Sequence, residues 1–177
     1  MQSEEMIVNA NATLRNVFVY ISSSFGARQF PVPKDSVFLN QRDCRYLPHV
    51  FGMQAGQPLI LLNSDSTFHN VFAAAQVNRP FNLGMTLSVR KLIRTFERPE
   101  VMVPFRCNVH PWMASYAGVL DHPFYAVTGE DGKFRLGKLP GGEYEVTVWH
   151  ERLGVRKQTV RVQESESKEA SFKFDLE

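Results

Sequence analysis

The segment Val101-Met102-Val103-Pro104-Phe105-Arg106 runs straight into Cys107-Asn108-Val109-His110-Pro111-Trp112-Met113, and this junction constrains the chain more than any other stretch. A thiol, an imidazole and a thioether follow one another at three-residue steps, a spacing that lets one short loop wrap a single ion. The apolar run before it reads as the strand that delivers the loop. A second imidazole, His69, stands just after the apolar run Leu59-Ile60-Leu61-Leu62 and the breaker Asn63-Ser64-Asp65-Ser66. That places it at the end of a separate strand.

The remaining chain agrees with a β-rich protein. It has 14 Phe, 5 Tyr, 11 Gly and 10 Pro among 177 residues, and its apolar residues alternate with polar ones or form short runs. Residues 6 to 21 read as opening strands and Ser22 to Lys34 as a loop, while Met85 to Arg98 fits a strand or one short helix equally poorly. The 20 basic and 18 acidic residues are spread evenly, for a net charge of +2. No basic stripe suits nucleic acid or an anionic membrane. No stretch nears the roughly 18 consecutive apolar residues of a membrane span, and the first residues lack the basic and apolar regions of a signal peptide. The chain is therefore expected to be soluble, with no nucleic-acid partner and no membrane insertion.

Two cysteines, Cys44 and Cys107, are too few for a disulfide framework or a four-cysteine zinc site. A soft thiolate, two imidazoles and a weak axial thioether form the donor set that suits copper cycling between Cu2+ and Cu+. Cys107, His69, His110 and Met113 supply it. These residues resemble the cupredoxins, in particular small type-1 blue copper proteins of the amicyanin and plastocyanin kind, whose ligand loop has the form Cys-x-x-His-Pro-aromatic-Met. The resemblance covers roughly residues 35 to 121. It implies a Greek-key β-sandwich with Cys107 as the dominant ligand, His69 and His110 equatorial and Met113 axial. It also implies that Asn70, in Phe68-His69-Asn70, hydrogen-bonds across to the ligand loop. Val109 stands where amicyanin has proline, which leaves a backbone N–H free to point at the Cys107 sulfur. Pro111 and Trp112 are expected beside the site as an apolar docking patch.

Cys44-Arg45-Tyr46-Leu47-Pro48-His49 is a second constellation. Cys44 and His49 could form an accessory metal site; Cys44 could equally be a buried thiol, with His49 capping a loop. A Cys44–Cys107 disulfide would consume the copper thiolate, so those two readings exclude each other. His150, at a strand end, is expected to be exposed.

After Asp121-His122-Pro123 a regular series begins. It includes the Asp131-Gly132 turn, Phe134-Arg135-Leu136, Tyr144 to Trp149, Gln158 to Val162 and Ala170 to Phe174. Gly129-Glu130-Asp131-Gly132-Lys133-Phe134 and Leu139-Pro140-Gly141-Gly142-Glu143-Tyr144 resemble the carboxypeptidase regulatory-like domains of transthyretin-type fold, which are non-catalytic. The chain is expected to be all-β: a copper domain over residues 1–122 and a smaller antiparallel sandwich over 123–177.

The function expected from these residues is electron transfer through one copper ion, with a cytochrome or dehydrogenase as redox partner, and not enzymatic. The setting would be periplasmic or secreted, a signal peptide having been removed. A copper enzyme or small-molecule-binding site with an extra or open ligand position, and a copper carrier, are the alternatives.

Overall fold

A computed structural model of the protein describes residues 4–175 and is all-β, with no helix among them. No helix, therefore, is long and apolar enough to cross a membrane. Thirteen strands follow in order: β1 (Phe18–Ile21), β2 (Val37–Arg42), β3 (Arg45–Leu47), β4 (Val50–Gln54), β5 (Pro58–Asn63), β6 (His69–Ala73) and β7 (Phe81–Met85). Then come β8 (Lys91–Thr95), β9 (Glu100–Arg106), β10 (Ala114–Leu120), β11 (Tyr125–Val127), β12 (Gly142–His150) and β13 (Gly154–Val162).

The strands divide into two units. The central unit, Gln29–Pro123, holds two sheets of order β4-β10-β9-β6-β7 and β3-β2-β5-β8. Leu39, Leu59 and Leu61 of one sheet and Val71, Val103 and Phe105 of the other share one buried cluster, so the unit is a sandwich. β5 is paired on both sides, parallel to β2 and antiparallel to β8, which accounts for its almost unbroken apolar run. The stretch that fits strand and helix equally poorly holds the last residue of β7, a turn and β8, the two strands being paired into different sheets.

The second unit is built from both chain ends, Met1–Arg28 and Phe124–Glu177. The division after Pro123 falls beside the expected boundary at 122, but residues 1–28 join this unit rather than the first. β1 pairs with β11 through Val19↔Ala126 and with β12 through Val19↔Val148, giving the antiparallel order β11-β1-β12-β13. Phe18 and Val19 are fully buried in that sheet, so the N-terminal strand joins the partners that cover it. Gly132 does occupy a turn at φ +67°, with its N–H on the Gly129 carbonyl, but no hairpin follows. Phe134–Leu136 and Ala170–Phe174 lie outside regular strands and pack through rings instead, Phe134 with Phe172 at 6.3 Å and His150 with Phe174 at 6.1 Å.

Glu100, at the start of β9, anchors the loop after β6. Its carboxylate accepts the Gln76 amide at 2.6 Å and the Asn78 amide at 2.9 Å. Burial pushes this carboxyl up, but those two amides, the Asn78 side chain and the Val77 amide outweigh it and hold the group below its ordinary value of 4.5. A carboxyl lowered by folding stabilises the protein fully above its ordinary value and ceases to do so as pH falls through the lowered one. Glu100→Gln should cost about 1 kcal/mol or more at neutral pH, and urea titrations should show the gap from wild type narrowing as pH falls below the ordinary carboxyl value. A gap that stays constant over that range would refute this role.

Candidate metal centre

The loop Cys107 to Met113 joins the antiparallel strands β9 and β10, whose register sets Ala114 opposite Arg106. Two backbone bonds close it, Cys107 N–H to the Met113 carbonyl at 3.3 Å and Met113 N–H to the His110 carbonyl at 2.9 Å. β6 pairs with β9 through Phe72↔Arg106, so His69 and Asn70 at its start lie beside the loop.

His69 is fully buried. Its Nε2 lies 2.7 Å from Asp65 Oδ2 and its Nδ1 lies 2.9 Å from His110 Nδ1. A carboxylate can only accept, so His69 Nε2 carries the proton and Nδ1 presents a lone pair. A second imidazole nitrogen facing that lone pair needs a proton or a cation between them. Cys107 Sγ lies 3.9 Å from the same His110 Nδ1. Metal bonds of about 2.0 Å to nitrogen and about 2.3 Å to sulfur span each of these separations, so each pair can share a soft or borderline ion. Met113 is buried beneath the loop.

Asn70 and Tyr46 brace this arrangement. Asn70 Oδ1 accepts the Asn108 amide at 2.7 Å and faces the Cys107 thiol at 3.4 Å, while its Nδ2 donates to Asn82 at 2.6 Å. Fully buried Tyr46 donates its hydroxyl to the carbonyls of Asn70 and Arg106, tying β6 to β9 behind the site. Burial drives the Tyr46 phenol far above its ordinary range, with the nearby Cys107 adding to it, so the group stays a neutral donor.

At the surface, His110 is half-buried, with the Trp112 ring at 5.2 Å. Val109 and Trp112 are exposed, Trp112 at 57 %. Trp112 is more than packing: its indole N–H donates to the Cys44 carbonyl at 3.0 Å.

Cys44 and His49 take different partners. His49 turns its Nδ1 to the Ala114 carbonyl at 3.0 Å and its ring edge to Tyr116. Cys44 joins His69 and His110 instead, with the three ligand atoms within 4.8 Å of one another. Both cysteines are free thiols. Burial raises the Cys44 thiol, and the charges of Asp65, Cys107 and Asp43 raise it further. His150 is buried rather than exposed, and its Nδ1 accepts the Arg152 and Leu153 amides in the turn between β12 and β13.

Asp65 is the partner of this cluster that the sequence reading missed. Besides His69, it accepts the Cys44 amide at 3.0 Å and the Asp43 amide at 2.7 Å. Burial works to raise its carboxyl, but the Cys44 amide, the His69 ring and the Asp43 amide outweigh it and keep it below the ordinary carboxylate range. The only signal was its spacing four residues before His69, hidden in a segment that reads as an ordinary strand breaker.

No family model matches the chain, and no curated protein matches it. Solved structures do. One is the Cu-containing nitrite reductase from Thermus scotoductus SA-01, at 18% identity and a TM-score of 0.45, over 57% of this chain and 25% of the reductase. Amicyanin from Paracoccus versutus is similar at 20% identity and a TM-score of 0.42, over 57% of this chain and 96% of that one. A purple cupredoxin from Nitrosopumilus maritimus is similar at 19% identity and a TM-score of 0.40, over 47% of this chain and 98% of that one. With a reductase among these structures, the expectation that the chain is not an enzyme does not stand. The chain matches only a quarter of that reductase's length.

Proposed function

We propose that the central unit binds one copper ion through His69, Cys107 and His110, with Met113 as a weak axial thioether, and that it exchanges single electrons. The observation that carries this is the pair of Nδ1 atoms facing each other at 2.9 Å, with the Cys107 sulfur 3.9 Å from one of them. Bound copper would supply a one-electron couple between Cu2+ and Cu+. The chain's own contribution is rigidity: Asp65 fixes the His69 tautomer, Asn70 pins the loop and Tyr46 locks the strands that carry both. Donors held in this way move little when the charge on the ion changes. Half-buried His110 offers the route to the surface, where exposed Val109 and Trp112 give a redox protein an apolar patch. The reading extends to a periplasmic or secreted setting on the strength of the copper chemistry, and to a regulatory-like module for the second unit on its two glycine-containing segments.

The test is the optical and electron-paramagnetic-resonance spectrum of the copper-loaded protein. An intense visible thiolate-to-copper band with narrow hyperfine splitting supports the reading, and a colourless protein overturns it. A band that shifts on addition of azide would turn the reading toward a site that binds small molecules.

Asp65→Ala should weaken copper binding by about 10–100-fold, because His69 loses the partner that fixes its tautomer. Competition with a chromophoric chelator measures the loss. Asp65→Asn keeps one acceptor oxygen and should recover part of it, whereas equal affinity in all three proteins would remove Asp65 from the centre.

A further inference from the structure

We infer that Cys44 is a second thiolate donor of this centre, so that the metal is held by two sulfurs and two imidazoles. The inference rests on the copper reading above but concerns a residue outside the ligand loop and the β6 segment. The geometry points to it, since the donor atoms of Cys44, His69 and His110 lie within 4.8 Å of one another and Cys107 Sγ lies 3.9 Å from His110 Nδ1.

Cys44 arrives on a third element. β2 and β3 form an antiparallel hairpin in which Arg42 pairs with Arg45, leaving Asp43 and Cys44 as a two-residue turn. Both have positive φ, 54° and 52°. Such turns ordinarily carry Asn-Gly or Asp-Gly, because a side chain at the second position is strained. The structure holds cysteine there from both sides: one carboxylate oxygen of Asp65 accepts the Cys44 amide and the other the Asp43 amide, while the Trp112 indole N–H donates to the Cys44 carbonyl. The oxygen that takes the Cys44 amide is the one that orients His69, and Trp112 directly precedes Met113. Cys44 is thus positioned by the same groups that position the other donors, and it packs half-buried against the core.

A second thiolate changes what the centre prefers. Two sulfurs and two nitrogens in a near-tetrahedral set suit Zn2+ and Cu+, and the added negative charge favours Cu2+ over Cu+ relative to a single-thiolate site. The protein should therefore hold Zn2+ or Co2+ tightly as well as copper.

Alkylation mapping of the reduced wild-type protein, with and without Co2+, reads the donor set without any mutation. Half-buried Cys44 should react in the metal-free protein and be shielded in the loaded one, whereas Cys107 is buried in both. Cys44→Gly relieves the turn, so it should raise the unfolding midpoint of the metal-free protein while lowering Co2+ affinity about tenfold or more. It should also remove roughly half of the thiolate-to-cobalt absorption. If Cys44 reacts equally in both states although Co2+ is bound, the inference fails and the single-thiolate copper reading stands. If neither copper nor cobalt binds, both fail.

Discussion

Copper-loaded Cys107→Ser is expected to lose most of its visible thiolate-to-copper absorption and its narrow hyperfine splitting. A serine hydroxyl is a hard donor that stays protonated near neutral pH, so it can supply neither the charge-transfer band nor the covalency of a thiolate. The fold should survive. The bond that closes the loop uses the Cys107 backbone N–H, and Asn70 reaches the Asn108 amide, so neither depends on the sulfur. Circular dichroism of the variant should match wild type while affinity for Cu+ falls about tenfold or more. Residual absorption that disappears only when Cys44 is also replaced belongs to Cys44. A full band in Cys107→Ser would remove Cys107 from the copper and leave Cys44 as the only thiolate of the cluster.

Phe105→Ala is expected to cost about 3–5 kcal/mol, a large share of the roughly 5–15 kcal/mol that stabilises a domain of this size. Phe105 is fully buried at the centre of an aromatic group, with the rings of Phe51 at 5.9 Å, Phe96 at 6.1 Å and Phe81 at 6.3 Å. Phe51 and Phe81 lie at opposite edges of the β4-β10-β9-β6-β7 sheet, so the neighbours that would collapse into the space are fixed by different strands. The cavity should therefore persist, and its cost with it. Urea unfolding gives the number, and Phe105→Leu should cost much less because most of the volume is kept. Phe105 is also two residues before Cys107 on β9, so the variant should bind copper more weakly, and excess copper should restore part of its stability by mass action. A loss under about 1 kcal/mol would show that the core can close around this position.

What could be read from the chain and what could not differ in the distance over which the information is encoded. Cys107, His110 and Met113 could be picked out as candidate donors because one seven-residue loop carries a thiol, an imidazole and a thioether at even spacing, a property of the sequence alone. His69 was legible because a strand run and its breaker place it at a strand end, and β6 does begin there. The all-β class followed from short apolar runs whose period fits pleated strands. Gly132 was legible as a turn for a local reason too, since its positive φ is a preference of the residue itself.

Tertiary structure decided the rest. Asp131-Gly132 announces a turn, but whether a hairpin follows depends on a partner ladder, and Phe134–Leu136 found none. β1 was assigned to the first unit because it precedes it in the chain, yet backbone hydrogen bonding is indifferent to chain order and paired it with β12, more than a hundred residues away. Cys44 sits closer in sequence to His49 than to His69, and only the β2–β3 hairpin turns it from the first toward the second. Asp65 looks like any turn residue until the folded chain brings two amides and an imidazole to its oxygens. Local spacing therefore determined the loop that carries a thiol, an imidazole and a thioether together, while long-range strand pairing decided which carboxylate faces His69 and which second thiol lies near the two imidazoles.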